Sequence, residues 1–192
     1  MQTTLPTLST DRLVLRTFTP QDVNTVHTLL NNWNVASMLS RVPYPYTKEM
    51  AQKWVEERAQ DTNDLNRVWD DGDLSYAVTL QSGELIGTVG LTCPVDEPDT
   101  LVIGYWYGQA YWNRGYATEA AKALIRQAFD VWKVPVLKAT HAKDNPASGY
   151  VLAKCGFCYT GDNVMTALAR EEDEIATKDY LLKREAVCLQ PV

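Results

Sequence analysis

No apolar run in the 192-residue sequence approaches the roughly 20 residues that cross a bilayer as a helix, so no membrane partner is expected. Met1 to Thr10 carries neither a basic start nor a long apolar stretch. No signal peptide is therefore expected, and the cytoplasm is the expected location by default. Cysteine is scarce: Cys93, Cys155, Cys158 and Cys188. Cys155 and Cys158 form a single CxxC, and a zinc site would need two more ligands. Histidine is scarcer still, and His27 and His141 lie apart from that pair. The thiols are read as small apolar groups in a reducing compartment, with no bound metal. Excess positive charge is also missing. Lys and Arg number 18 against 24 Asp and Glu, a net charge of -6. That balance argues against a nucleic-acid footprint. It suits a cationic small substrate without selecting one. No repeat or low-complexity stretch is present.

What is there reads as one domain over 1–192, long enough to bury a core unaided. Arg12 to Arg16 alternates polar and apolar, as a first strand does. Thr19-Pro20 opens a helix to about Leu30, with Thr19 as N-cap and Pro20 at the first helical position. Asn31 to Asn34 breaks it. Val42-Pro43-Tyr44-Pro45-Tyr46 is a stiff aromatic loop, and Thr47 caps a second helix running to about Asp61. A polar turn at 70–73 precedes strands at 74–80 and 85–92, joined by hairpin-turn residues Gln81 to Glu84. After a loop at 93–99, strand 100–107 leads to a helix over about 117–132. Its apolar residues, among them Ala120, Ala121, Leu124 and Ile125, fall at helical spacing. Strand 136–142, a short helix from Asn145 to Cys155 ended by Gly156, and strands 157–160 and 175–183 complete the chain. Hairpins dominate, with one strand-helix-strand crossover. The fold class is α+β, a mixed α/β sheet with helices on its faces, and not a doubly wound fold.

The segment Trp112-Asn113-Arg114-Gly115-Tyr116-Ala117-Thr118 joins a strand to a helix. N–H groups at a helix start have no intrahelical partner and carry the positive end of the dipole, so they bind phosphate. Gly115 permits close backbone approach, Arg114 adds charge, and Ala117 is small. The same pattern also fits a turn whose glycine serves conformation alone.

The string from Tyr111 to Ala120 resembles the acyl-CoA loop of the GNAT superfamily of N-acetyltransferases. Gly115 and Ala117 match that pattern, with Trp112 where Arg or Gln is usual. Trp112 followed by Ala117-Thr118-Glu119-Ala120 is similar to the RimJ/RimL type of ribosomal-protein N-terminal acetyltransferases, and Asn113 replaces a commoner glycine. Asn145-x-x-Ser148 followed by Lys154-Cys155-Gly156-Phe157, and the opening Thr10 to Arg16, also resemble that branch. The motifs span about 10–160. The resemblance implies a strongly twisted, mostly antiparallel sheet whose central parallel strands, 100–107 and 136–142, splay apart to take acetyl-CoA. It implies that backbone groups of Trp106 and Tyr107 pair with the pantetheine arm. Trp112 to Thr118 would hold the pyrophosphate, and Asn145 and Ser148 would also contact the cofactor. The acceptor would be an amine, on a small molecule or at a protein N-terminus. A homodimer is the default expectation for an enzyme.

The reaction requires deprotonating an amine, polarising the thioester and protonating the CoA thiolate. Relatives often place a tyrosine seven residues after the asparagine for the last task. Leu152 stands there, and Ser148 is the substitute proton donor. Its alternative role is to bond backbone in the helix's first turn. Relatives that acetylate protein N-termini carry a glutamate where Thr140 stands. His141 is a candidate base, although alternation puts it on the opposite face from Thr140. Glu84, Asp96, Glu97 and Glu119 are further carboxylates, with Glu119 explained by the helix dipole, and water is an alternative route for the proton. Trp33, Tyr44 and Tyr46 are acceptor-site candidates, while Met38 and Trp54 crowd the same arm. The acidic run at 171–174 reads as a solvated loop that could also attract a cation. With no Cys–His pair evident, direct transfer is expected. The alternatives are an acyl-CoA sensor without turnover and an unrelated nucleotide-binding protein using the same loop.

Overall fold

Period-two and β-branched segments pair into one sheet in a computed structural model that describes residues 5–61, 72–94, 100–170 and 174–187. The turn at 70–73, the loop at 93–99 with Asp96 and Glu97, the acidic run at 171–174 and Cys188 lie wholly or partly outside the described residues. The described strands are β1 Leu8–Ser9, β2 Leu13–Arg16, β3 Asp73–Leu80, β4 Leu85–Thr92, β5 Leu101–Tyr107, β6 Val136–Ala142, β7 Cys158–Met165 and β8 Ile175–Lys183. Their order is β1-β2-β3-β4-β5-β6-β8-β7. Among these, β5 and β6 are parallel and the remaining neighbours antiparallel. The expected mixed sheet is present. β7 runs past the expected 157–160, through Gly161-Asp162-Asn163, three residues of low strand propensity. Pairing with β8 holds them there, with a register shift between Tyr159 and Gly161.

The helices are α1 Val23–Leu30, α2 Trp33–Ala36, α3 Lys48–Arg58, α4 Tyr116–Arg126, α5 Pro146–Lys154 and α6 Arg184–Val187. Thr47 caps α3 as expected, accepting from Met50 N–H at 3.3 Å. Gly156, at φ 89°, ends α5. Phe157 N–H reaches Leu152 C=O and Gly156 N–H reaches Ala153 C=O, the paired bonds of a Schellman cap.

Three details differ from the expected helices. Pro20–Asp22 is a 3-10 turn rather than the start of an α-helix; Thr19 is its N-cap as expected, and Asp22 accepts from Thr19 N–H at 2.8 Å. The Asn31 to Asn34 break contains the start of α2, because Asn32 accepts from Asn34 N–H at 3.0 Å and caps a new helix. α4 stops at Arg126, and a π-helical turn over Gln127–Val131 keeps Ala128 and Phe129 buried.

The helices divide between the two faces. Ala120, Ala121 and Leu124 of α4 and Leu152 of α5 pack with Leu101, Ile103, Leu137 and Ala139 on the first face. Val26 and Leu30 of α1 and Ala51 and Val55 of α3 pack with Ala77, Leu85 and Trp106 on the second. Every one of these side chains is apolar and buried, which is why the amphipathic helices settle there. Among the described residues no helix is long and apolar enough to cross a membrane.

Candidate functional site

β5 and β6 are in register at only two pairs, Leu101 with Leu137 and Val102 with Lys138. Beyond these the strands separate, leaving a wedge lined by one edge of each. On the far edge of β5, Gly108 N–H donates to Ile86 C=O at 3.0 Å. In an antiparallel ladder that makes Trp106 and Thr88 a hydrogen-bonded pair too, while Tyr105 and Tyr107 turn their backbone groups into the wedge. The expectation that both Trp106 and Tyr107 offer backbone groups there is corrected for Trp106, whose groups face β4. Its indole lies on the second face, 6.4 Å from Trp54.

The loop from Trp112 to Gly115 closes the C-terminal end of β5. Asn113 and Gly115 have φ of 60° and 81°, both left-handed. Asn is among the few side chains that tolerate this region, so its replacement of a glycine does not alter the loop's course. The Trp112 indole N–H donates to the Tyr107 carbonyl at 2.7 Å and pins the loop to the strand. Glu119 N–H is bonded to Gly115 C=O, which leaves the N–H groups of Tyr116, Ala117 and Thr118 at the open first turn of α4. The Arg114 guanidinium has no ion-pair partner among the described residues. Its carbonyl accepts from Arg12 at 2.9 Å.

Arg12 also ion-pairs with Glu119 at 2.6 Å, and its guanidinium lies 4.8 Å from the centre of the Tyr116 ring. Glu119 further accepts from Thr10 at 2.6 Å and from Arg12 N–H at 3.0 Å. Burial pushes its carboxyl up, but these hydrogen bonds and the Arg12 charge outweigh that and hold it below the usual range. Glu119 therefore does more than meet the helix dipole, since through Arg12 it ties the β1–β2 turn to the Trp112–Gly115 loop. The role of Arg12 has no signal in the loop motif.

Across the wedge, Asn145 caps α5 by accepting from Ser148 N–H at 3.3 Å, which leaves its amide NH2 to donate elsewhere. The Ser148 hydroxyl meets the Tyr105 phenol at 2.9 Å, and Tyr105 also reaches the Ser148 carbonyl at 3.2 Å. Burial raises the Tyr105 phenol, so it stays protonated. When Tyr105 donates to Ser148, the serine proton is left for the wedge. Tyr105 went unrecognised in the sequence, where nothing distinguishes it from other strand aromatics. Leu152, at the position of the missing tyrosine, is core.

His141 is buried beneath α5. Its Nδ1 lies 2.7 Å from the Ala142 carbonyl, so Nδ1 carries the proton, and Nε2 lies 3.2 Å from the Tyr180 hydroxyl. A Cβ at Gly149 would meet Nε2 at 2.8 Å, so glycine lets the helix close over the ring. This corrects the candidate base: both nitrogens are engaged on the first face, away from Thr140. Glu84 accepts from the Tyr111 phenol at 2.6 Å. Cys93, Cys155 and Cys158 are free, and burial pushes the Cys155 thiol up to about 11.

The acceptor candidates separate. Trp33 and Tyr44 are 47% and 44% exposed and meet edge to face at 5.4 Å. Tyr46 is 5% exposed and packs among Val26, Leu30 and Val55, so it is corrected to a core residue. Met38 and Ser37 lie where residues 168–170 cross the second face. There Leu168 N–H donates to Ser40 C=O, and Arg170 donates to the Ser37 carbonyl at 2.7 Å while pairing with Asp144.

A family model for the acetyltransferase (GNAT) domain matches residues 12–158. The chain belongs to the GNAT acetyltransferase family. Family membership makes it an N-acetyltransferase. The uncharacterized protein YkkB of Bacillus subtilis is 30% identical over 155 residues, covering 80% of this chain and 86% of that protein. The uncharacterized N-acetyltransferase YoaA of the same organism is 26% identical over 167 residues, covering 79% and 82%. The crystal structure of a GNAT-family acetyltransferase from Bacillus anthracis superposes with a TM-score of 0.77 at 22% identity, over 94% of this chain and 99% of that one. Spermidine N-acetyltransferase from Vibrio cholerae, in complex with CoA and spermine, gives 0.73 at 17%, over 93% and 99%. At these identities the structural likeness is one of fold.

Proposed function

We propose that the chain transfers acetyl from acetyl-CoA directly to a primary amine within a ternary complex. The observation that carries this reading is the wedge, with a helix N-terminus and a left-handed loop at one rim and Asn145 and Ser148 at the other. The open N–H groups of Tyr116 to Thr118 and the Arg114 charge suit a pyrophosphate. The backbone of Tyr105 and Tyr107 suits an extended pantetheine arm added as a strand, with the Asn145 amide beside it. Ser148, backed by Tyr105, supplies the proton that the CoA thiolate takes up. His141 bonds to Ala142 and Tyr180 rather than to a cysteine, which favours direct transfer over an acyl-enzyme.

The kinship to the RimJ/RimL type rests on Trp112 and the Asn145-x-x-Ser148 motif. Ribosomal-protein N-termini and polyamines are both amines of the proposed class. The free thiols suit a reducing cytoplasm, and a homodimer is open to sedimentation. The deciding experiment incubates the chain with acetyl-CoA and a panel of polyamines, other alkylamines and peptides with free N-termini, and reads released thiol. Turnover on at least one amine is expected. Tight CoA binding without turnover on any amine would overturn the reading in favour of an acyl-CoA sensor.

A further inference from the structure

The geometry points to Asp179, on β8, as the carboxylate that receives the acceptor's ammonium group and takes its proton. The inference rests on the transfer reading above and supplies the base that His141 does not.

Asp179 pairs directly with Thr140 across β6 and β8. Thr140 lies two residues past the last β5–β6 pair, inside the wedge, and on the face opposite His141. That is the second face, which α1, α3 and the β7–β8 loop border. Asp179 Oδ1 accepts from the Thr140 hydroxyl at 2.8 Å, and Oδ2 accepts from the Asn163 amide at 2.9 Å. Both donors are neutral, and among the described residues no lysine or arginine forms an ion pair with Asp179. Two hydrogen bonds aim the carboxylate without cancelling its charge, and the remaining lone pairs suit an ammonium ion.

The chemistry balances. Asp179 removes one proton from the ammonium and exposes the nitrogen lone pair. Nitrogen attacks the thioester carbon, so the C–N bond forms, the C–S bond breaks and the electron pair leaves on sulfur. Ser148 gives its proton to the thiolate, and the nitrogen's second proton, relayed through solvent, replaces it on the serine. The net proton released is the one that Asp179 passes to solvent.

The test uses the full chain with ethylamine and its mono-, di- and trifluoro analogues, whose basicity falls stepwise at nearly constant shape. For Asp179→Asn, turnover of ethylamine should fall about 100-fold or more, the loss typical of a removed base. The KM for acetyl-CoA should not move, and Asp179→Glu should recover part of the rate. The loss should shrink along the series and be least for trifluoroethylamine, which is largely neutral at pH 7. A structural role lowers all four amines alike. Thr140→Val removes only one orienting hydroxyl and should give a smaller loss with the same trend, which keeps the test valid if Asp179→Asn folds poorly. Equal losses across the series, or a fully active Asp179→Asn, overturn the assignment. Wild-type chain inactive on every amine overturns the transfer reading itself.

Discussion

Replacing Gly115 tests the proposed phosphate loop at its most constrained point. Its φ is 81° and ψ is 0°, on the last residue before α4. A side chain there costs roughly 1–2 kcal/mol from the clash of Cβ with backbone. The added Cβ would also lie 3.3 Å from Arg12 Nη2, and Glu119 restrains that guanidinium. The loop is exposed, so in the free protein it relaxes rather than hold the strain, and binding must restore the left-handed turn. The cost therefore falls on affinity. At tenfold per roughly 1.4 kcal/mol, Gly115→Ala should weaken CoA binding about 5- to 30-fold. Gly115→Val should abolish it, because a β-branched residue at positive φ is a genuine outlier and its branch crowds the anion. Calorimetric titration with CoA measures the affinity, and thermal unfolding checks that the fold persists. CoA binding by Gly115→Val within twofold of wild type would refute the loop assignment.

Ser148→Ala should lower turnover about 100-fold while changing CoA affinity little, as expected for a proton donor; full turnover in a kcat measurement would pass the role to water. Glu119→Gln should loosen the bonds from Thr10 and Arg12, weakening CoA binding severalfold without touching the ligand itself, and titration checks this. Asp22 supplies a stability test. Burial pushes its carboxyl up, but the bidentate Arg16 contact at 2.7 and 2.8 Å and the Thr19 bonds hold it below the usual range. A carboxyl depressed on folding adds stability above its unfolded value of about 4, and that stability is lost as pH falls through the folded value. Asp22→Asn should thus be less stable than wild type at pH 7 in urea. The gap should narrow toward pH 3, and a gap constant with pH would exclude the linkage.

Most of the fold was legible because hydrophobic periodicity is a local property. The strands at 85–92, 136–142 and 175–183 emerge with the boundaries read from the sequence. The helix ends at Thr47 and Gly156 follow from capping chemistry that needs no tertiary partner. α2 was missed because its start is made by one Asn32 side chain, and the β7 extension because pairing overrides weak propensity. The end of the wedge proposed to take the cofactor was legible for the same reason as the helices. Gly115, Asn145 and Ser148 lie in contiguous strings, and their places at two helix starts follow from local backbone geometry.

The other half of the site depended on the tertiary fold. Tyr105 meets Ser148 across 43 residues, Thr140 meets Asp179 across 39, and Arg12 meets Glu119 across 107. None of these pairs has a motif, because strand order and helix placement bring them together. The same packing moved His141 and Tyr46 out of candidacy by burying them. The sequence alone pointed to the glycine-containing loop proposed to hold phosphate, to its partner motif and to the elements that carry them. Only the folded sheet decided which hydroxyls and carboxylates share the wedge, since that depends on which face of each strand looks into it.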